Sequence, residues 1–492
     1  MSLINVTRLT FAYEGNYDTI FDDVSFQLHT DWKLGFTGRN GRGKTTFLKL
    51  LQGKHEYSGH ISADVTFDYF PFPVEDGEEM TINVVNQIVH EYEHWELLRE
   101  LNLLGVAEDA LYRPYHTLSN GERTKVQLAA LFLKENSFLL IDEPTNHLDL
   151  HGRRLVSDYL KEKRGFILVS HDRVFLDACI DHILSINKTQ IDIQKGNFSS
   201  WLVNKERQDR YELAENEKLG REVKRMSQAA KRTNQWSHEV EKSKNGTRNS
   251  GSKVDKGYVG HKAAKMMKRS KSIEQRQQTA LEEKSKLLKN IESAENLKLN
   301  QLPYHKSRLL ELDHVSIYYG EEQVCEEVSF VIEQGERIAL AGRNGSGKSS
   351  LLRLILGDDM SYSGAVRKDR ELKISYVSQD TEHLAGSLSA YAADQDIDES
   401  LFKSILRKLD FSRLQFEKDI ASYSGGQKKK VLIARSLCDA AHLYVWDEPL
   451  NFIDVISRMQ LEELLLAYKP TILFVEHDQA FCEHIATKTI EL

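Results

Sequence analysis

Two glycine-rich segments that end in Gly-Lys-[Ser/Thr] occur in the chain, at 38–45 and at 342–349. In such a segment the glycines let backbone N–H groups turn around phosphate oxygens at a helix N-terminus, while the lysine reaches the β- and γ-phosphates and the hydroxyl holds Mg²⁺. The pair therefore predicts two ATP sites, each with Mg²⁺ as cofactor. The residues expected to contact nucleotide here are Gly38, Asn40, Gly41, Gly43, Lys44, Thr45, Thr46, Gly342, Asn344, Gly345, Gly347, Lys348, Ser349 and Ser350.

An apolar run that ends in Asp-Glu follows each glycine-rich segment, at 138–143 and at 443–448. The aspartates are expected to help hold Mg²⁺, and the glutamates to polarise the attacking water as general bases. A surface cap after a strand is the alternative, but it does not explain why both pairs follow apolar runs at the same place. The next apolar run in each copy ends at a histidine that could contact the γ-phosphate. The predicted catalytic residues are Glu143, Glu448, His171 and His477, and the metal ligands include Thr45, Asp142, Ser349 and Asp447.

Small residues open a helix between these two signals in each copy, at 119–122 and at 424–427. Backbone N–H groups and a serine hydroxyl at a helix N-terminus form a second anion clamp, separate from the glycine-rich loop. The residues expected to act in this clamp are Ser119, Gly121, Ser424, Gly425 and Gly426.

The signals repeat in the same order, with 304 residues between the two lysines, 305 between the serines and between the aspartates, and 306 between the histidines. Such constant spacing indicates two homologous domains. Each copy reads as strand, glycine loop and apolar helix, and the runs 138–141 and 166–169 are continuously apolar, as in parallel strands buried on both faces. The predicted fold class is therefore α/β, with two nucleotide-binding domains at 1–204 and 303–492 and a linker at 205–302.

Composition restricts the function classes further. The four cysteines form no Cys-x-x-Cys pair, which favours a reducing compartment and argues against a zinc or disulfide framework. No apolar run approaches the length of a membrane span, and the first residues lack the pattern of a signal peptide. We therefore expect a soluble cytoplasmic protein without a membrane domain.

The linker carries a charge opposite to that of the whole chain. Between 218 and 271 there are sixteen Lys or Arg and four acids, whereas the chain has a net charge of −8. Its apolar residues fall at helical spacings on both sides of a Gly/Ser/Asn-rich run at 242–253, which predicts a helical hairpin with a basic tip. Such a hairpin could be a solvated connector, but Trp236 and Tyr258 near the tip favour contact with nucleic acid.

With these motifs in place, the chain resembles the ATP-binding cassettes of the ABC superfamily. In that family the serine clamp of one cassette completes the ATP site of the other, so Lys44 would face Ser424 and Lys348 would face Ser119 in an intramolecular sandwich of one monomer. The resemblance also implies that adenine stacks on Tyr13 and Tyr319.

Two cassettes joined by a charged helical linker resemble the ABC-F subfamily of ribosome-associated factors. The segments DWKLGFTGRNGRGKTT, LIDEPTNHLDL, FILVSHDR, KMMKRSK and VWDEPLNFID are similar to those of the Lsa-type antibiotic-resistance branch. The resemblance implies binding at the tRNA exit site of the ribosome, with the linker directed at the peptidyl-transferase centre, and protection against lincosamides, streptogramin A compounds and pleuromutilins. Contacts with rRNA or tRNA are expected from Lys244, Lys253, Val254, Tyr258, Lys262, Lys265, Lys268 and Arg269.

The sequence also departs from the family pattern. Gln379 supplies the glutamine expected near Mg²⁺ in the second copy, whereas Phe72 stands there in the first. Asn120 replaces the first glycine of one clamp, where we expect the loop to survive because Asn tolerates left-handed backbone. Leu450 and Phe452 replace polar residues of the first copy. We therefore expect two unequal ATP sites, and the sequence leaves open which is slower.

Two alternative functions also fit the sequence. One is a housekeeping ABC-F factor that regulates translation elongation, and the other is the ATPase subunit of a membrane exporter. Copurification with ribosomes or with membranes separates the exporter from the other two, and drug susceptibility separates protection from housekeeping.

Overall fold

The computed structural model describes residues 2–13, 19–146, 148–187, 190–242, 275, 297–320, 322–343 and 345–492. The chain divides into two units, Met1–Trp201 with Ala294–Leu492 and Leu202–Ser293. The first unit holds both copies of the sequence repeat. We call its part up to residue 201 the first cassette and its part from residue 297 the second cassette.

The first cassette contains nine strands and six α-helices among its described residues. The strands are β1 Leu3–Phe11, β2 Phe21–His29, β3 Lys33–Thr37, β4 Ser58–Ser62, β5 Thr66–Phe70, β6 Ser137–Asp142, β7 Phe166–Val169, β8 His182–Asn187 and β9 Gln190–Lys195. The helices are α1 Lys44–Leu51, α2 Thr81–Ile88, α3 His94–Leu103, α4 Asn120–Leu131, α5 Leu150–Glu162 and α6 Arg173–Cys179.

The second cassette repeats this order after the long helix α7, Phe198–Lys242. Its strands are β10 Arg308–Tyr319, β11 Glu322–Glu333, β12 Arg337–Ala341, β13 Ser361–Lys368, β14 Ile374–Val377, β15 Leu443–Asp447, β16 Ile472–Val475 and β17 Lys488–Glu491. Its helices are α8 Lys348–Leu356, α9 Leu388–Asp394, α10 Glu399–Lys408, α11 Gly425–Cys438, α12 Val455–Tyr468 and α13 Gln479–Ile485.

Each cassette has a large sheet and a small antiparallel one. The large sheet of the first cassette has the strand order β5-β6-β7-β3-β8-β9 and is parallel except for β9. That of the second has the order β14-β15-β16-β12-β17 and is parallel throughout. The small sheets have the orders β2-β1-β4 and β11-β10-β13. The sequence-based prediction of two α/β domains with parallel strands is confirmed.

The parallel strands lie in the core, as their apolar sequences predict. All residues of β7, β15 and β16 are buried. In the first cassette the ring of Phe47 on α1 packs edge-on against Phe36 of β3 and against Phe21, with ring centroids 5.6 and 6.0 Å apart. The glycine-rich loop that joins β3 to α1 is therefore held at both ends by buried apolar groups. The carboxyl ends of parallel strands meet at one edge of each sheet, where α/β proteins bind ligands.

Helix α7 supplies most of the described residues of the second unit. It begins where the side chain of Asn197 accepts a hydrogen bond from the backbone N–H of Ser200 at 3.1 Å. Phe198 and Trp201 are buried, with ring centroids 5.3 Å apart. Apart from Gln275, residues 243–296, which hold the expected turn and most of the expected return helix, lie outside the described residues. The domain limits 204 and 303 stay predictions. In the parts of the chain that the structure describes, no helix is both long enough and apolar enough to span a bilayer.

Candidate ATP sites

The two glycine-rich loops adopt the backbone that their sequence predicts. Gly43 and Gly347 precede α1 and α8 with φ values of 94° and 85°, in the left-handed region that favours glycine. A Cβ atom at Gly347 would also lie 2.9 Å from the carbonyl oxygen of Val324. Both loops therefore open a helix N-terminus toward the sheet edge, which is the arrangement that binds phosphate. Asn344 of the second loop lies outside the described residues.

The ammonium group of each loop lysine donates hydrogen bonds to backbone carbonyl oxygens of its own loop. Lys44 Nζ donates to the carbonyl oxygens of Gly38 at 2.7 Å and Arg39 at 3.2 Å. Lys348 Nζ donates to the carbonyl oxygen of Gly342 at 2.9 Å. Burial lowers the pKa of both lysines, and neighbouring carboxylates act in the opposite direction. A poorly hydrated ammonium group gains more from a phosphate than an exposed one does.

The residues proposed to hold Mg²⁺ lie next to each other in both cassettes. Thr45 Oγ1 donates to Asp142 Oδ2 at 2.9 Å. Ser349 likewise hydrogen-bonds Asp447, whose buried Oδ1 atom has no hydrogen-bond partner among the described residues. Mg²⁺ prefers hard oxygen ligands, and a hydroxyl beside a carboxylate with a free oxygen provides them. The residues present therefore fit the ion.

The two glutamates differ in their electrostatic surroundings. Glu143 Oε1 lies 3.2 Å from His171 Nε2, and Glu448 Oε1 lies 3.5 Å from His477 Nε2. Burial and the charge of Asp142 raise the pKa of Glu143 to about 8. Burial also acts to raise the pKa of Glu448, but the hydrogen bond and charge of His477 outweigh it and the pKa is lowered. These surroundings therefore favour the protonated form of Glu143 and the ionised form of Glu448.

The structure places Gln379 beside the second glutamate. Gln379 Nε2 donates to Glu448 Oε2 at 2.8 Å, and Asn451 donates to the same oxygen. Its assignment as a metal ligand stays a prediction. In the first cassette the backbone of Phe72 is held by Gln127, which accepts from its N–H and donates to its carbonyl oxygen, both at 3.0 Å.

Sequence reasoning missed Tyr69. Its hydroxyl donates to Asp142 Oδ2 at 2.8 Å, the same oxygen that accepts from Thr45. Tyr69 lies on β5, which pairs in parallel with β6, so the contact depends on strand order. One sequence feature could have suggested this contact. Tyr69 lies three residues before Phe72, in a strand that ends at the same edge of the sheet as β6 and its Asp142.

The serine clamps form helix caps, as their sequences predict. Ser119 precedes α4 and Ser424 precedes α11. Each serine side chain accepts a hydrogen bond from the backbone N–H three residues later. The serine's own N–H donates to the side-chain oxygen of that later residue, Glu122 or Gln427. Asn120 is the first residue of α4 and has helical backbone, so the left-handed tolerance expected of it is not needed. Ser119, Gly121, Ser424, Gly425 and Gly426 all lie at helix N-termini.

The two cassettes meet in the head-to-tail manner that the resemblance implies. One cavity of about 1130 Å³ is lined by Lys348, Ser349 and Glu448 of the second cassette and by Ser119 and Gly121 of the first. We call this composite site the open site.

At the opposite pairing, Asn40 Nδ2 donates to the carbonyl oxygen of Phe452 at 2.7 Å. A Cβ atom at Gly426 would lie 2.3 Å from that same oxygen and 3.2 Å from Asn40 Nδ2. The loop of Lys44 therefore faces the clamp of the second cassette across a direct contact. We call this composite site the closed site.

The two tyrosines expected to stack on adenine lie at the rims of the loops. Tyr13 is 40% exposed and its hydroxyl is hydrogen-bonded to Thr46 Oγ1 at 2.9 Å. Tyr319 is 48% exposed and its hydroxyl lies 3.3 Å from Ser350 Oγ. The two hydroxyl groups thus join the rings to the first turns of α1 and α8, and stacking on adenine stays a prediction. The predicted rRNA or tRNA contacts Lys244, Lys253, Val254, Tyr258, Lys262, Lys265, Lys268 and Arg269 lie outside the described residues.

A buried ion pair joins α11, the helix that begins with the clamp residues Gly425 and Gly426, to the start of α12. Lys430 Nζ on α11 lies 2.7 Å from Asp454 Oδ2 and donates to the carbonyl oxygen of Leu409 at 2.9 Å. Asp454 also caps α12 by accepting from Ser457 N at 2.9 Å. Burial acts to raise the pKa of Asp454, but Lys430 lowers it well below its usual range. The stabilisation from this pair is therefore present above the pKa of an unfolded aspartate and is lost as the pH falls.

We expect Lys430→Met to lower the free energy of unfolding of the second cassette by about 3 to 5 kcal/mol, because it leaves a buried carboxylate unpaired. The matched control is Lys125→Met at the equivalent place on α4, where the lysine is half-buried and lines the open site. Its cost should stay below about 1 kcal/mol. Thermal or urea unfolding followed by circular dichroism measures both, and equal losses would contradict the role assigned to the pair.

Comparisons with known proteins agree with this geometry. The family described as ABC transporter matches residues 21–146 and 325–451, which is just over half of the chain. The Bacillus subtilis (strain 168) protein named "Ribosome protection protein VmlR" is 28% identical over 485 residues, covering 97% of this chain and 85% of the relative. The "ATP-binding protein Uup" of Buchnera aphidicola subsp. Acyrthosiphon pisum is 25% identical, covering 99% and 80%.

Solved structures show the same fold. A chain in the crystal structure of the complex of archaeal ribosomal stalk protein aP1 and archaeal ribosome recycling factor aABCE1 has a TM-score of 0.63 at 18% identity, with 98% of this chain and 87% of that chain covered. The structure titled "RNase-L Inhibitor" has a TM-score of 0.62 at 18% identity, with 99% and 87% covered. The chain therefore belongs to the ABC transporter family and carries its ATPase domain twice, which makes it an ATP-hydrolysing enzyme.

Proposed function

We propose that this ATPase is a cytoplasmic ABC-F protein of the Lsa type that protects the ribosome from antibiotics acting at the peptidyl-transferase centre. It would bind large-subunit rRNA and tRNA at the tRNA exit site, with the linker directed at the peptidyl-transferase centre. The drugs concerned are lincosamides, streptogramin A compounds and pleuromutilins. The observation that carries this proposal is the similarity, over 97% of the chain, to a relative named a ribosome protection protein.

The linker sequence supports a polyanionic partner. Its sixteen basic residues between 218 and 271 are concentrated in one segment of an otherwise acidic chain. Neutralising phosphates with lysine and arginine releases counterions, which supplies most of the affinity of a protein for nucleic acid. A membrane exporter would leave this segment without a role.

We assign the hydrolytic chemistry to both composite sites. In the closed site, the first loop with Thr45 and Asp142 would hold the phosphates and Mg²⁺, and Ser424 with Gly425 and Gly426 would clamp the γ-phosphate. In the open site, Ser349 and Asp447 would hold Mg²⁺, and Ser119 with Gly121 would form the clamp. Mg²⁺ would neutralise charge on the β- and γ-phosphates when bound.

The glutamates and histidines perform the proton chemistry in this proposal. Glu448 is ionised and lies beside Gln379 and His477, so it can accept the proton of a water directed at the γ-phosphate. His477 would contact the γ-phosphate oxygens from the end of β16. Glu143 and His171 occupy the same places in the closed site, with Glu143 Oε1 3.2 Å from His171 Nε2.

Drug susceptibility of one bacterial strain with and without the gene tests the function. We expect the gene to raise the minimum inhibitory concentrations of lincosamides, streptogramin A compounds and pleuromutilins and to leave those of drugs with targets outside the ribosome unchanged. Unchanged concentrations for all three classes, with the protein still sedimenting with ribosomes, would favour a housekeeping elongation factor.

A further inference from the structure

An ion-pair cluster crosses between the cassettes beside the closed site. Arg39 Nη1 lies 3.3 Å from Asp410 Oδ1, and Arg42 Nη2 lies 3.9 Å from the same oxygen. Both arginines belong to the first glycine-rich loop, whereas Asp410 follows α10 in the second cassette. The side chain of Arg39 is 7% exposed and that of Asp410 26%, so water and salt screen this cluster less than a surface ion pair.

The open site carries different residues at the matching positions. Arg343 corresponds to Arg39, but Ser346 stands where Arg42 does in the first loop. Gly105 stands 305 residues before Asp410, and it lines the same cavity as Arg343 and Ser346. The carboxylate and the second guanidinium are therefore missing from the open site.

We propose that Arg39, Arg42 and Asp410 form a latch that makes the closed site the slowly exchanging ATP site and leaves the open site to exchange first. Nucleotide can leave a composite site only when its two faces separate. Separation at the closed site must break these ion pairs, whereas Arg343, Ser346 and Gly105 cannot form the same cluster at the open site. The inference rests on the proposed assignment of both composite sites as ATP sites, and the three residues act by positioning the cassettes.

The backbone allows the latch to be moved from one site to the other. Asp410 has a φ of 69° and Gly105 a φ of 63°, so an aspartate already adopts at 410 the conformation it would need at 105. A Cβ atom at Gly105 would approach only Leu155 Cδ1, at 3.2 Å, which is the end of a flexible side chain. Gly105→Asp therefore places a carboxylate opposite Arg343 with little strain.

Release of a fluorescent ATP analogue, mant-ATP, from the full-length Glu143→Gln/Glu448→Gln protein tests the latch. After a chase with unlabelled ATP, we expect a fast and a slow phase in stopped-flow traces. Adding Asp410→Gly, which copies the open site, should accelerate the slow phase roughly tenfold and leave the fast phase unchanged. Adding Gly105→Asp should slow the fast phase.

Substituting the loop lysine of one site at a time shows which release phase belongs to which ATP site. Lys44→Ala should remove the slow phase and Lys348→Ala the fast phase. A single phase in the parent protein, the reverse assignment, or a slow phase that ignores Asp410→Gly would overturn the proposal. Asp410→Asn removes the charge with little change in shape. If the glycine variant does not fold, the slow phase is measured in the asparagine variant instead, and it should again be faster than in the parent protein. The assay contains neither ribosomes nor drugs, so its result does not depend on whether the protein protects ribosomes. If the protein bound no mant-ATP at all, both the assignment of the ATP sites and the latch would be wrong.

Discussion

ATP hydrolysis is expected to fall by roughly 10²- to 10⁴-fold in a Glu143→Gln/Glu448→Gln double variant that still binds ATP. The amide keeps the shape of the carboxylate and loses its basicity. Both residues have left-handed backbone, with φ values of 51° and 47°. Their N–H groups donate to the carbonyl oxygens of Val169 at 2.9 Å and Val475 at 3.0 Å, which fixes each peptide to the neighbouring strand. The substitution therefore changes chemistry without moving the site.

Phosphate release and nucleotide binding measure the two halves of this prediction. With hydrolysis blocked, ATP should keep the cassettes together, so the double variant should remain with ribosomes in a sedimentation assay. Glu135→Gln, at an exposed glutamate away from both sites, is the matched control and should behave as the wild type does. A double variant that hydrolyses ATP normally, or that leaves ribosomes as readily as the wild type, would refute the assignment of the general bases.

The parts of the sites that follow from local sequence could be predicted. A glycine loop before an apolar helix fixes where phosphate is expected, because the loop and the helix start are determined by neighbouring residues. The apolar runs before Asp142 and Asp447 likewise fix buried strands, and both aspartates lie at or beside the ends of β6 and β15. The small residues at 119 and 424 predicted helix starts, and the structure has caps there.

Contacts that depend on strand order or on the meeting of the cassettes could not be predicted. Tyr69 reaches Asp142 because β5 pairs with β6, and Arg39 reaches Asp410 because two surfaces far apart in sequence face each other. No periodicity encodes either contact. The unequal surroundings of Glu143 and Glu448 also escaped prediction, because burial and neighbouring charges rather than residue type set their pKa values.

Replacing the loop 242–256 by a few glycines is expected to abolish resistance to lincosamides and pleuromutilins while ribosome association and ATPase activity survive. Lys242 is the last residue of α7, and the loop after it lies outside the described residues. The cassettes and α7 up to residue 241 are unchanged by the replacement, so ATP turnover and most charge-based affinity should remain. Minimum inhibitory concentrations measured beside ribosome pelleting and phosphate release test the three outcomes.

The tip could anchor the protein to the ribosome or reshape the drug pocket. A control loop with the same length and composition but a shuffled sequence distinguishes these two roles. If the tip only anchors the protein, total positive charge decides the outcome and the shuffled loop should preserve resistance. If it reshapes the drug pocket, particular side chains such as Lys244, Lys253 and Val254 must keep their positions, because stacking and packing contribute roughly 1 to 3 kcal/mol per contact. We expect the shuffled loop to fail as the shortened one does. Resistance that persists with the loop removed would instead assign protection to the rest of the molecule.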